Sequence, residues 1–229
     1  MRIILFDIDG TLINSDGAGR RSIARAFNDC YGLESDLCDI EFHGRADNGI
    51  LRDVFEKKLG KSPSENEIQR ILDALVRHLP EELQRSENYR LLDGVAEILE
   101  ELSHRNDVIL GLETGNTEPA AELKLSHGGI WRYFRCGGYG SDSDIRSEIV
   151  RHGIRKARNL LEPGQSVKAV WVVGDTPADI EAAKSVGVHV LATATGMHSL
   201  DILCSCGPDV ALPDLSNVPQ VLSILLSDS

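Results

Sequence analysis

Three short stretches of this 229-residue chain combine residue types that can do chemistry. In Asp7-Ile8-Asp9-Gly10-Thr11, two carboxylates stand two residues apart directly after an apolar run. Buried carboxylates so close together are unfavourable unless a positive charge lies between them. A divalent cation meets that need, because hard cations take oxygen ligands. One carboxylate is then free to act as a nucleophile and the other as an acid/base. In Glu113-Thr114-Gly115-Asn116, a hydroxyl followed by glycine at a strand-to-helix turn offers a side-chain donor and backbone N–H groups, a combination that holds phosphoryl oxygens. In Gly174-Asp175-Thr176-Pro177-Ala178-Asp179, Thr176 is placed to cap a helix that begins at Pro177. Asp175 would then complete a cation site, with Asp179 in the first turn supporting it. Taken singly, each stretch also reads as turn chemistry or helix capping. Their order, each at the end of an expected strand, points to one assembled site.

The elements that must position these residues follow from periodicity. Ile3 to Phe6 is a short continuous apolar run of the kind buried on both faces of a parallel sheet. Residues 16 to about 88 read instead as helix throughout. Ile23, Ala26, Phe27 and Tyr31 recur at helical spacing, as do Ile50, Leu51, Val54, Phe55 and Leu59, and again Ile68, Ile71, Leu72, Leu75, Val76, Leu79 and Leu83. Ser62-Pro63-Ser64-Glu65 would start the last of these helices, with Ser62 as N-cap, Pro63 first and Glu65 closing a capping box. From residue 92 strands and helices alternate. Strands are expected at Val108 to Leu112, Tyr133 to Cys136, Ala169 to Val173, Val188 to Ala192 and Val210 to Leu212. Helices are expected near Val95 to Leu102, Pro119 to His127, Ser147 to Leu161, Pro177 to Val186 and Val218 to Leu226. Such alternation implies a parallel sheet covered by helices on both faces. The organisation is therefore an α/β core, residues 1–15 and 89–229, interrupted at 16–88 by an all-helical insert. Ligands of open α/β sheets bind at the carboxyl ends of strands, so the insert is placed over that site as a cap.

Composition narrows the partners. Against 24 Lys and Arg stand 36 Asp and Glu, a net charge of −12, which disfavours nucleic acid and anionic membrane surfaces. A site for a phosphate must therefore carry its own local cation. The five cysteines, Cys30, Cys38, Cys136, Cys204 and Cys206, show neither a disulfide framework nor zinc-site spacing and read as reduced structural thiols. The start of the chain has too short an apolar run for a signal peptide, and no stretch approaches a membrane span, so a cytoplasmic protein is expected. A surface without an apolar stripe suggests a monomer or a loose dimer.

The three stretches resemble the motifs of the haloacid dehalogenase-like superfamily of aspartate-nucleophile phosphohydrolases, in particular its phosphoglycolate-phosphatase and phosphoglucomutase-like branch. Asp7-Ile8-Asp9-Gly10-Thr11 matches the first motif, Thr114 the second, and Gly174-Asp175 with Asp179 the fourth. The resemblance covers essentially the whole chain and implies a Rossmann-like parallel sheet core with an inserted helical cap. It further implies that Asp7 attacks phosphorus, that Asp9 protonates the leaving alcohol and then activates water, and that Mg²⁺ lies between Asp7, the backbone carbonyl of Asp9 and Asp175. Thr114, Gly115 and Asn116 would bind phosphate, and the substrate would be a small phosphorylated metabolite.

The family's third motif is usually a lysine, and here the sequence departs from it. Lys124 falls too early, in the helix after the second motif, and Lys156 too late. Arg146 stands at the expected place and takes the role, its guanidinium able to fork onto phosphate oxygens; otherwise it would be a helix-surface partner of Asp142 or Glu148. In the insert, His43-Gly44-Arg45-Ala46-Asp47 lies between two helices, with Asp47 placed as an N-cap and Arg45 as a candidate contact for a substrate carboxylate or hydroxyl. Glu113 reads as an ion-pair partner facing away from the site. A magnesium-dependent phosphatase is the resulting expectation. A phosphomutase would use the same residues, and a phospho-accepting or binding module without turnover would keep them.

Overall fold

A computed structural model describes residues 1–227. Its core is a six-stranded sheet in the order β5-β4-β1-β6-β7-β8, every neighbouring pair parallel. The strands are β1 (Arg2–Phe6), β4 (Val108–Thr114), β5 (Cys136–Tyr139), β6 (Ala169–Gly174), β7 (His189–Thr193) and β8 (Val210–Leu212). From β1 the chain builds outward through β4 and β5, then crosses back to lay down β6, β7 and β8 on the other side. β1 is thus the switch point of the sheet, and the crevice at its carboxyl end is where such sheets bind ligands.

Alternation along the strands decides which face each residue serves. Ile3 and Leu5 of β1 join Ile109, Val170, Val172 and Val190 in one buried layer, beneath α6 (Arg146–Arg158), α7 (Pro177–Val186) and α8 (Leu200–Ser205). Ile4 and Phe6 join Val108, Leu110, Leu112, Trp171, Val173 and Leu191 in the other, beneath α4 (Val95–Ser103), α5 (Glu118–His127) and α9 (Val218–Leu225). All five residues of β1 are buried, as expected of a strand covered on both sides.

Between a two-residue ladder of β2 (Ile13–Asn14) and β3 (Arg90–Leu91) the chain forms α1 (Ala18–Tyr31), α2 (Asp47–Leu59) and α3 (Glu65–Gln84). These helices have a core of their own. Phe27 meets Phe55 at a ring separation of 5.1 Å and Tyr31 meets Phe55 at 5.2 Å, both edge to face, a preferred geometry for aromatic pairs. Arg21 and Arg25 of α1 both reach the buried Glu82 of α3, at 2.7 and 2.8 Å.

Several expected boundaries move. The capping box of α3 is formed by Ser64 with Glu67, two residues later than expected. Residues 131–133 form a 3-10 turn, and the strand expected at 133–136 runs from Cys136 to Tyr139. Its sequence, Cys-Gly-Gly-Tyr, lacks the apolar run that marks the other strands. Asp47 is the first residue inside α2, with Ala46 at the cap position. The helix α8 was not expected. All five cysteines are free, but Cys38 and Cys204 are exposed and contribute little to any core. Among the described residues no helix is long and apolar enough to cross a membrane.

Candidate active site

A cavity of about 440 Å³ opens at the carboxyl end of β1, beneath α1 and the turn before α2. Asp7, Asp9, Thr114, Gly115, Asn116, Arg146 and Asp175 all line it, so the sequence-distant stretches do converge. Asp7 continues the alternation of Ile3 and Leu5 and therefore points to the α6 side of the sheet, where Arg146 opens α6. The Arg146 guanidinium reaches Asp7 Oδ1 at 2.8 Å, Asp179 Oδ1 at 2.7 Å and Glu113 Oε2 at 2.9 Å. It pairs with neither Asp142, which takes Lys156 at 3.0 Å, nor Glu148, which takes Arg151.

Three carboxylates around one guanidinium leave an excess of buried negative charge. Burial, resisted by Arg146 and reinforced by Asp179, pushes the Asp7 carboxyl up to about 6. Burial and the neighbouring charges of Asp7 and Asp179 raise Asp175 well above the usual carboxylate range. Glu113, fully buried, is raised likewise by burial against the pull of Arg146. Arg146 in turn holds its proton more tightly than usual, because the three carboxylates outweigh its desolvation.

Oxygens of Asp7, Asp175 and Asp179 lie within 4.8 Å of one another. That all-oxygen set, short of positive charge, fits a hard divalent cation. Within it Asp179 is already engaged: Oδ2 accepts from the Thr176 backbone N–H at 3.0 Å and from Thr176 Oγ1 at 2.8 Å, closing the capping box of α7, while Oδ1 faces Arg146. Asp175 accepts from Thr11 Oγ1 at 3.0 Å. The backbone of Gly196 passes so close that a side chain there would collide with the Asp175 carboxylate.

Asp9 belongs to a separate network. Its Oδ1 accepts from Ser15 Oγ at 2.6 Å, and its Oδ2 from Asn116 Nδ2 at 2.9 Å and Lys124 Nζ at 2.6 Å. Burial alone would raise its carboxyl, but the Lys124 charge and these three hydrogen bonds prevail and hold it below the usual range. Two carboxylates two residues apart are thus pushed in opposite directions, Asp7 upward by desolvation and Asp9 downward by a cation.

The family of haloacid dehalogenase-like hydrolases matches residues 4–193. The chain belongs to that family. It is similar to the phosphoglycolate phosphatase of Synechococcus elongatus, 27% identical over 226 residues that cover 99% of each chain. It is also similar to the validoxylamine A 7'-phosphate phosphatase of Streptomyces hygroscopicus subsp. limoneus, 29% identical over 220 residues and 95% of each chain. Among solved structures, one described as a predicted phosphoglycolate phosphatase from Haemophilus somnus superposes with a TM-score of 0.68 at 25% identity, covering 96% of each chain. This haloacid dehalogenase-like chain is accordingly a phosphohydrolase.

Three residues stand differently from their sequence reading. Glu113 is an ion-pair partner as expected, but it does not face away from the site: it lies on the same face of β4 as Ile109, toward α6, and meets Arg146. Alternation along β4 carried that signal. Arg45, in the turn before α2, lines the cavity but is bound to Asp53 of that helix and to the Gly49 carbonyl at 3.3 Å. Asp47 is not an N-cap; its carboxylate accepts from the Thr117 backbone N–H at 2.8 Å, and its own N–H donates to the Gly115 carbonyl at 2.8 Å. This pair of bonds fastens α2 to the second motif. Gly115 permits it, because a side chain there would strike the Arg45 carbonyl. Lys124, too early for the third-motif role at Asp7, reaches Asp9 instead. The visible signal was its spacing: Thr117 at the cap of α5, and Ala120 and Lys124 within it, follow one another at helical intervals, and all are buried.

Proposed function

We propose that this chain is a Mg²⁺-dependent phosphatase that hydrolyses a small phosphomonoester through a phospho-aspartate at Asp7, with residues 16–88 acting as a cap over the site. The observation that carries this reading is the pairing of Asp7, set beside Arg146 and the oxygens of Asp175, with Asp9, held apart on its own network at the same cavity wall. In this reading Asp7 attacks phosphorus and takes the phosphoryl group, breaking the bond to the leaving oxygen. Asp9 gives that oxygen a proton and then takes one from the water that attacks the phospho-aspartate. The Thr114 hydroxyl, the Gly115 and Asn116 amides and the Arg146 guanidinium hold the remaining phosphoryl oxygens. Such sites work chiefly by positioning and charge neutralisation.

Asp7, Asp175 and the Asp9 backbone carbonyl would hold the metal, with Asp179 supporting Asp175 through the charge network it shares with Arg146. The ion would supply positive charge to the phosphoryl oxygens and offset the repulsion that raises Asp7 and Asp175. Relatives at 27% and 29% identity carry the names of phosphatases for two very different esters, so they support the reaction and not one substrate. Phosphate release from a panel of small phosphomonoesters, with Mg²⁺ and with EDTA, tests the reading. Magnesium-dependent release supports it. Release that is unchanged by EDTA, or none from any ester, would overturn it.

A further inference from the structure

Lys124 is a buried cation that none of the recognised motifs uses. Its side chain is 6% exposed, and an ammonium so far from water is unfavourable unless it is paired. It is paired twice, at 2.6 Å to Asp9 Oδ2 and at 2.7 Å to Asn116 Oδ1. Asn116 passes the contact on, its Nδ2 donating to Asp9 Oδ2 at 2.9 Å and to Thr114 Oγ1 at 2.9 Å. Overhead, α1 closes the space: a side-chain carbon added at Gly19 would come 3.3 Å from the Lys124 nitrogen. Two buried cations therefore divide the two central carboxylates of the site, Arg146 serving Asp7 and Lys124 serving Asp9.

We propose that Lys124 is a positioning residue for Asp9, fixing through its charged hydrogen bond, together with Asn116 and Ser15, the direction in which the Asp9 carboxyl meets the leaving oxygen. This inference rests on the phosphatase reading above. A carboxyl following a strand end turns about two side-chain bonds. Ser15 on one oxygen and Lys124 with Asn116 on the other fix both rotations. Proton transfer to a leaving group depends on such aim. The Lys124 contribution should therefore grow with the need for that proton: large for an alkyl phosphate, whose alkoxide leaves poorly, and small for p-nitrophenyl phosphate, whose phenolate leaves readily.

The test compares the full-length Mg²⁺-loaded parent with Lys124→Met, Lys124→Arg, Asp9→Asn and the double variant Lys124→Met/Asp9→Asn. Each is assayed on p-nitrophenyl phosphate and on an alkyl phosphate that the parent turns over. Lys124→Met should lower kcat on the alkyl phosphate by about 10- to 100-fold with KM changed less than about 3-fold. The loss on p-nitrophenyl phosphate should stay within about 5-fold, and Lys124→Arg should recover part of it. Because Lys124 acts through Asp9, the double variant should be no slower than Asp9→Asn alone. Equal losses on both esters, additive losses in the double variant, a raised KM with kcat intact, or faster turnover of the alkyl phosphate by Lys124→Met would each overturn the proposal. If Lys124→Met does not fold, Lys124→Gln takes its place in the same comparison. A parent that releases phosphate from neither ester removes the phosphatase reading itself, an outcome distinct from an active parent matched by its Lys124 variants.

Discussion

Replacing Arg146 by Met removes one positive charge from the midst of Asp7, Glu113 and Asp179, whose side chains are 9%, 0% and 0% exposed. Water cannot substitute for it at that depth, and burial has already driven Asp7 to about 6 with the guanidinium in place. One further carboxyl of the cluster must then fold in its protonated form. For an aspartate with an ordinary value of 3.8, taking up that proton at pH 7 costs about 4 kcal/mol, from roughly 3 units at 1.36 kcal/mol each; at pH 5 it costs under about 2 kcal/mol. The sign follows from proton counting. The folded variant binds one more proton than its unfolded chain across this range, so its stability falls relative to the parent as pH rises. Arg146→Lys keeps the charge but loses the fork, and should cost only about 1–2 kcal/mol, with little dependence on pH. Urea unfolding of the parent and both variants in EDTA, from pH 5 to 8, measures all of this. A Met variant that loses as much at pH 5 as at pH 7, or no more than the Lys variant at pH 7, would refute the electrostatic account of the site.

Two further substitutions probe the surroundings. Burial lifts Asp47 from 3.8 to about 6, so its charge lowers stability by up to about 3 kcal/mol as pH rises through that window. Asp47→Asn should therefore gain on the parent by about that amount between pH 4 and pH 8 in urea unfolding; a difference that stays constant with pH would contradict this. Phe55→Ala removes the ring that meets both Phe27 and Tyr31 and should cost about 3–5 kcal/mol in the same assay, whereas a loss below about 1 kcal/mol would show that the helices α1 to α3 lack the core described here.

How far the sequence could be read depended on the range of the interaction. The parallel sheet followed from apolar runs alternating with helical periodicity, and the helix from Pro177 to Val186 was marked at its start by its own cap, Thr176. Asp7, Asp9, Thr114 and Asp175 could be found because each stands at a strand end, a place with a fixed meaning in this fold. Arg146 could be located by its position, but its three carboxylate partners depend on the packing of α6 against β1 and β4 and could not be. The Gly-rich β5 gave too little apolar pattern to be placed correctly. Arg45 looked available because its partner Asp53, eight residues later, lies in what appeared in sequence as an ordinary polar helix face. Lys124 was set aside because it falls too early for the third motif, and a lysine in a helix is usually solvated; only the closeness of α5 to the loop after β1 brings it to Asp9.

The claim on which the rest depends is that Asp7 carries the phosphoryl group during turnover. Quenching the Mg²⁺-loaded enzyme in acid while it turns over a phosphomonoester, then mapping the peptide that contains Asp7, tests this directly. The account predicts a hydroxylamine-labile acyl phosphate on Asp7, absent from Asp7→Asn, which should keep the parent's fold and release no phosphate. A phosphoryl group on any other residue, or continued phosphate release by Asp7→Asn, would contradict it.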